Sequence, residues 1–286
     1  MTYGEKLNET CKIALDNNKE DSACLFLMSD VSGYSSSELY FHQNDEMPKE
    51  QLEKYDLMFS KYINENIPVQ YLTGKAYFYG YEFNVSSDCL IPRCETEQLV
   101  ENMLLLYDRN MKGNKIDVVD IGTGSGCISI TLALEEKNMN VTACDISKEA
   151  LNKAKENAKK LGAKVNFLQG DMLEPVMNQK FDMLVSNPPY IPTVEVVDPL
   201  VKDNEPNVAL FGGEDGLKFY RIILENSVKI MKDKCIIGFE HGYDKGKEIR
   251  ELAKVYYPDS NIYTLNDYQG LERMTFIIRG YEHDSK

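Results

Sequence analysis

Between residues 96 and 240 short apolar, β-branched segments alternate with stretches of helical periodicity. A helix is expected over 96–108, where Leu99, Val100, Met103, Leu104 and Tyr107 share one side. Strands are expected over Ile116–Ile121, 141–145, 165–168, Phe181–Ser186 and 235–240, and a helix burying Ala150, Ala154, Ala158 and Leu161 separates the second of these from the third. Strand–helix–strand alternation of this kind is satisfied by a parallel α/β sheet with helices on its faces. A last pair, 262–265 and 274–279, reads as an antiparallel edge.

Residues 2–66 have a different texture. Apolar positions recur at helical spacing, with Leu7, Cys11, Ala14 and Leu15 in one segment and Leu52, Tyr55, Phe59, Tyr62 and Ile63 in another. Thr2 with Glu5 has the form of a capping box, and Pro48 suits a first helical turn. Over 70–91 aromatic and β-branched residues are broken by Gly74, Gly80 and Ser86-Ser87-Asp88, which reads as a hairpin. The expected organisation is a helical domain over 1–69, a β-hairpin linker over 70–91 and an α/β domain over 92–286, with a frayed tail from Glu282.

Composition narrows the function. The 286 residues include 32 Lys and Arg against 46 Asp and Glu, a formal net charge of −14, which argues against sequence-independent nucleic-acid binding. Seven scattered cysteines form no Cys-x-x-Cys pair and have no histidine nearby, so they read as reduced thiols and no metal site is expected. With no apolar signal core, Arg-rich transit stretch or bilayer-length apolar run, cytoplasmic residence is expected and a membrane partner is not.

The strand Val118-Val119-Asp120-Ile121 runs into Gly122-Thr123-Gly124-Ser125-Gly126 and then an apolar helix. Such a turn brings a ligand against backbone N–H groups at a helix N-terminus. About twenty residues on, Asp145 ends the next strand, where a carboxylate can accept the hydroxyl hydrogens of a ribose. The spacing is Gly-x-Gly-x-Gly, not the Gly-x-Gly-x-x-Gly that packs a helix under a pyrophosphate, so S-adenosylmethionine suits it better than a dinucleotide. Asp171-Met172 follows the next strand, with Asp171 able to accept from an adenine amine and Met172 offering an apolar wall. An ordinary tight turn is the alternative for the glycines, and a solvated carboxylate beside a core methionine for Asp171-Met172.

Asn187-Pro188-Pro189-Tyr190 ends the strand Phe181–Ser186, at the same edge of the sheet. An amide or aromatic amine nitrogen has a delocalised lone pair, so positioning must carry much of its methylation. The Asn187 oxygen and the Pro188 carbonyl can take the two hydrogens of one NH2, the prolines stiffen that carbonyl, and Tyr190 offers a flat face for stacking. The alternative is a Pro-rich turn with Asn as a turn residue. None of His42, His241 and His283 falls in the motif, which leaves the general base open.

Several stretches together resemble the peptide chain release factor N(5)-glutamine methyltransferases of the HemK/PrmC type, nearly end to end. They are Pro68-Val-Gln-Tyr-Leu-Thr-Gly74, Leu90-Ile-Pro-Arg-Cys-Glu-Thr-Glu97, Asp120-Ile-Gly-Thr-Gly-Ser-Gly126, Asn187-Pro-Pro-Tyr190, Glu205-Pro-Asn-Val-Ala-Leu-Phe-Gly-Gly213 with Asp215-Gly-Leu217, and Glu240-His-Gly242. The resemblance implies a class I, Rossmann-like methyltransferase sheet with a small N-terminal helical domain. It implies methyl transfer from S-adenosylmethionine to the glutamine amide of the Gly-Gly-Gln motif in bacterial release factors 1 and 2, without direct nucleic-acid binding. Cofactor contacts are implied at Gly122, Thr123, Gly124, Ser125, Gly126, Asp145, Asp171, Met172 and Asn187, catalytic roles at Asn187, Pro188 and Tyr190, and substrate contacts at Asn187, Pro188, Pro189 and Tyr190. Cys94 stands where the family usually has proline, and Met172 where some relatives carry an aromatic residue. Arg93, Glu95 and Thr96 are secondary candidates, a salt-bridged helix start capped by Thr96 being the alternative. The N-terminal domain then acquires a reason, since a protein substrate needs a docking surface larger than one side chain. Competing functions are methylation of a ribosomal-protein glutamine, amino-methylation of DNA or RNA, and nicotinamide-dependent oxidoreduction.

Overall fold

The computed structural model describes residues 1–281, so the tail expected from Glu282 lies outside the described residues. The chain forms two compact units, one of Met1–Lys75 with Val197–Asn204 and the other of Ala76–Val196 with Glu205–Lys286.

The first unit is helical: α1 (Tyr3–Asp16), α2 (Ser22–Ser32), α3 (Ser36–Phe41), α4 (Lys49–Asn64) and α5 (Val69–Thr73). Thr2 and Glu5 form the expected capping box, and Pro48 is the residue immediately before α4. The buried face of α1 is Tyr3, Lys6, Thr10 and Ala14, whereas Leu15, one of the apolar positions at helical spacing, is 59% exposed. The reason is polar. The Thr10 hydroxyl lies 2.8 Å from the Tyr55 hydroxyl inside the core, and Lys6 buries its stem while its ammonium reaches Asp56 at 2.7 Å and Glu9 at 2.8 Å. Counting apolar residues alone misses a face built this way.

In the second unit the chain runs β1 (Lys75–Phe78), β2 (Tyr81–Asn84), α6 (Cys94–Asn110), β3 (Ile116–Ile121), α7 (Cys127–Glu135), β4 (Met139–Asp145), α8 (Lys148–Leu161), β5 (Val165–Gln169) and β6 (Phe181–Ser186). After α9 (Pro199–Lys202), which groups with the first unit, follow α10 (Lys218–Ile230), β7 (Met231–Glu240), α11 (Gly246–Tyr256), β8 (Asn261–Asn266) and β9 (Glu272–Arg279). Seven strands form one sheet in the order β5-β4-β3-β6-β7-β9-β8. The first five are parallel, and β9 and β8 add the antiparallel edge.

Alternate residues of each central strand enter different cores. Val118, Met183 and Ile236 join Leu99, Val100 and Met103 of α6 and Ile128 and Leu132 of α7, while Val119, Leu184 and Ile237 join Tyr220, Ile223 and Leu224 of α10 and Ile249 and Ala253 of α11. Helices therefore cover both faces, which is why these strands read as continuous apolar runs.

The stretch expected as a linker is divided. Residues 69–73 are helix, stopped by Gly74 in the left-handed region at φ +72, and only 75–84 form the hairpin. Its turn, Tyr79-Gly80, has φ +52 and +78, the pattern that a two-residue hairpin turn requires. Phe78 and Phe83 are fully buried in the core that α6 enters. Asn157 of α8 accepts from the Asn84 N–H at 2.7 Å and donates to the Asn84 carbonyl at 2.9 Å, so the hairpin is an integral part of the second unit. The cysteines form no disulfide, and Cys94 is exposed. Among the described residues no helix is long and apolar enough to cross a membrane.

Candidate active site

The parallel strands β3, β4 and β6 deliver their C-terminal ends to one edge of the sheet, where an open strand order creates a crevice. A cleft lies there, lined by Gly122, Gly124, Asp145, Met172, Asn187 and Pro189 among others. Its remaining wall includes Leu90, Ile146, Ala150 and Val208.

The glycine loop is braced from beneath. Asp145 accepts from the Gly124 N–H at 2.8 Å and from the Ser147 N–H at 2.9 Å. Burial raises the Asp145 pKa, and these backbone donors oppose the rise. Gly122 and Gly124 have φ of +76 and +57, and the space a Cβ would occupy at each is open. Thr123, Ser125 and Gly126 are not on the cavity wall and shape the loop from within. The Thr123 hydroxyl donates to Asp120 at 2.6 Å, Ser125 is buried with its carbonyl held by Asn157 at 2.9 Å, and a Cβ on Gly126 would lie 2.7 Å from Ile130 Cδ1. Asp171 is exposed and lines a neighbouring depression with Leu173, Glu174 and Met177, whereas Met172 borders both spaces.

The donor set fits S-adenosylmethionine. Open glycine backbone, the Asp145 carboxylate at a strand end and an apolar wall match a ribose and an adenine. Burial drives Asp120 up to about 7.

The clamp loop is held through its backbone. The Ile191 N–H donates to the Leu210 carbonyl at 3.0 Å, and the Gly212 N–H to the Ile191 carbonyl at 2.8 Å. Gly212 packs so closely that a Cβ would lie 2.5 Å from the Pro189 oxygen. Residues 205–213 thus form a brace for the tetrapeptide. Pro188 is buried, and Tyr190 is half-buried beside Gly242 and does not border the cavity. Burial pushes the Tyr190 phenol up to about 12, so it stays neutral.

Four residues acquire places that sequence reasoning did not assign. Thr96 is not a helix cap: Arg93 occupies that position, and the buried Thr96 hydroxyl donates to Glu240 at 2.6 Å while accepting from Asn187 Nδ2 at 3.1 Å. Glu240 is buried at the end of β7, and desolvation raises it to about 7. Glu205 accepts from the Ile91 N–H at 3.1 Å and from the Arg93 guanidinium, and Asp120 underlies the glycine loop. The available signal was an acidic residue ending or interrupting an otherwise apolar strand, as at Asp120 and Glu240.

Comparison with known proteins gives the family and the fold. The chain is 40% identical over 280 residues to release factor glutamine methyltransferase of Bacillus cereus, covering 96% of this chain and 99% of the relative. The chain belongs to the release factor glutamine methyltransferase family. The Bacillus subtilis relative of that name is 40% identical, over 95% of this chain and 96% of its own. Residues 12–74 match the PrmC N-terminal domain and residues 97–204 the methyltransferase small domain. A methyltransferase of Pyrococcus furiosus has the same fold, with a TM-score of 0.53, 17% identity and coverage of 82% of this chain and 100% of its own. This release factor glutamine methyltransferase family member is thus a class I α/β enzyme, an S-adenosylmethionine-dependent protein-glutamine methyltransferase.

In this family member Arg93 neutralises a carboxylate that is 1% exposed. Arg93→Ala is expected to cost roughly 3 kcal/mol by leaving the Glu205 charge buried and unpaired, lowering Tm by about 6–12 °C. Glu205→Gln in the same chain should recover part of the loss. A thermal melt in which Arg93→Ala is within 2 °C of wild type would refute the pairing.

Proposed function

We propose that this enzyme methylates the side-chain amide nitrogen of the glutamine in the Gly-Gly-Gln motif of bacterial release factors 1 and 2. The observation that carries the reading is the presence of Asn187 and Pro189 on the wall of the cavity that Gly122, Gly124 and Asp145 also line. The relatives named release factor glutamine methyltransferase, matched over nearly the whole chain, support the substrate. A translation factor as substrate makes the cytoplasm the place of work.

Gly122, Gly124, Asp145 and Met172 would hold S-adenosylmethionine, with Thr123, Ser125 and Gly126 shaping their loop and Asp171 in the adjoining depression that Met172 also borders. When bound, the cofactor supplies a methyl group activated by its sulfonium charge. The chain's own work is positioning. The Asn187 oxygen and the Pro188 carbonyl accept the two hydrogens of the glutamine NH2, which fixes its plane and opposes the positive charge that grows on nitrogen. Pro189 stiffens the loop on the cavity wall, and Tyr190, neutral and half-buried beside Gly242, packs behind that wall and backs the loop. The nitrogen sheds its surplus proton to solvent after transfer. The N-terminal helical unit supplies the wider docking surface that a protein substrate needs.

The test is intact-mass analysis of an unmethylated bacterial release factor incubated with the enzyme and S-adenosylmethionine, followed by fragment mapping. One added methyl on the Gly-Gly-Gln glutamine is the expected result. A cofactor-binding enzyme that leaves the release factor unmodified would overturn the substrate assignment.

A further inference from the structure

We infer that Thr96 and Glu240 are positioning residues that fix which end of the Asn187 carboxamide faces the target nitrogen. The inference rests on the reading of Asn187 as an acceptor for that nitrogen. A carboxamide has an oxygen that only accepts and a nitrogen that only donates. Turned through half a revolution it would present N–H groups to an incoming NH2 and could not hold it. Something must choose between the two orientations.

Hydrogen counting makes the choice. The Glu240 carboxylate accepts from Thr96 Oγ1 at 2.6 Å. A threonine hydroxyl has one hydrogen, so once it is given to Glu240 the oxygen can only accept on its other side. Asn187 therefore turns its nitrogen toward Thr96, at 3.1 Å. That bond draws the NH2 end toward Thr96 and leaves Oδ1 for the cavity that Asn187 lines. Thr96 and Glu240 are each 2% exposed, so solvent does not compete for this chain.

The direction of the chain depends on an acceptor at its far end. Burial holds the Glu240 carboxyl near neutrality, at about 7. Around it stand Glu95 and Thr96 on α6, Asn187 after β6 and Arg273 on β9, which itself pairs with Asp267 at 3.1 Å. Tyr220 on α10 donates to the Glu240 backbone carbonyl at 2.7 Å, and the neutral Tyr190 phenol lies nearby. On its own strand's end, His241 bonds the Gly242 carbonyl and the Thr275 hydroxyl, and burial lowers its pKa. A protonated Glu240 can instead donate to Thr96, which is then free to donate to the Asn187 oxygen and reverse the carboxamide.

The experiment measures kcat, KM for the release factor and calorimetric cofactor affinity for Thr96→Val, Thr96→Ser, Glu240→Gln and Asn187→Ala. Thr96→Val is expected to lower kcat by about 10²-fold with cofactor affinity unchanged, and Thr96→Ser to return within about threefold of wild type. Wild-type kcat should fall as pH drops through about 7, whereas Glu240→Gln, which can present either oxygen or N–H to Thr96, should be slower by about tenfold and flat across that range. Thr96→Val with kcat within about threefold of wild type, or one that loses kcat and cofactor affinity together, overturns the inference. If Thr96→Val does not fold, parallel pH profiles of Glu240→Gln and wild type overturn it instead. Asn187→Ala separates the two claims: if it still transfers methyl, the reading of Asn187 falls and this inference with it, and if it is inactive beside a fully active Thr96→Val, only the positioning role falls.

Discussion

Asn187→Ala should lose methyl transfer by roughly 10³-fold in kcat while S-adenosylmethionine binds within a few-fold of wild type. The substitution removes the side-chain acceptor proposed for the glutamine NH2 and leaves the cofactor wall of Gly122, Gly124, Asp145 and Met172 in place. It also leaves the Thr96 hydroxyl bonded to Glu240, so no buried charge is stranded. Its size follows from chemistry. A delocalised amide nitrogen gains little from a nearby base and much from being held in plane and in line, so losing one of two acceptors costs orientation and charge stabilisation together. Single-turnover kinetics with cofactor calorimetry is the check. Equal losses in transfer and cofactor affinity would move Asn187 from the substrate to the cofactor side of the site.

For Asp145→Ala the defect should fall on cofactor affinity, by about 10²-fold, with kcat at saturating cofactor much closer to wild type. Asp145 is proposed to accept from the ribose, and it already anchors the Gly124 and Ser147 N–H groups at 2.8 and 2.9 Å. Its removal therefore takes away a ligand contact and the tether that shapes the loop. Asp145→Asn retains one acceptor oxygen and should show a smaller loss, about tenfold. Because burial raises the Asp145 pKa, affinity should fall on acidification at a higher pH than an ordinary carboxylate would give. Calorimetry of the two variants decides it: unchanged affinity in Asp145→Ala would leave Asp145 as a loop brace alone.

The sheet was legible because its signals are local. Apolar runs flanked by helical periodicity recover β3 and β6 to the residue, and the lengths of β4 and β7 were short only at their N-terminal ends, where polar residues such as Asn140 and Lys232 interrupt the run. The face of α1 was not legible, since Thr10 and Lys6 are buried by virtue of partners 45 and 50 residues away, Tyr55 and Asp56. The helical start of the 70–91 stretch was hidden by its β-branched and aromatic residues, which a short helix ended by Gly74 accepts once packing supports it.

The candidate site divides along the same line. Gly122-Thr123-Gly124-Ser125-Gly126, Asp145 and Asn187-Pro188-Pro189-Tyr190 each sit at a strand end, so chain order alone determined that they would meet at one edge of the sheet. Which of them line the cavity was decided by tertiary packing, which turns Gly122, Gly124, Asp145, Asn187 and Pro189 toward it and Thr123, Ser125 and Asp171 elsewhere. The same is true of Glu205 clasping Ile91 and Arg93, and of Glu240 reaching Thr96 across 144 residues. Residue type and spacing along the chain determine which chemistry is available. Hydrogen bonds between distant segments, whose donors and acceptors are paired only after the core has formed, decide which way each group faces.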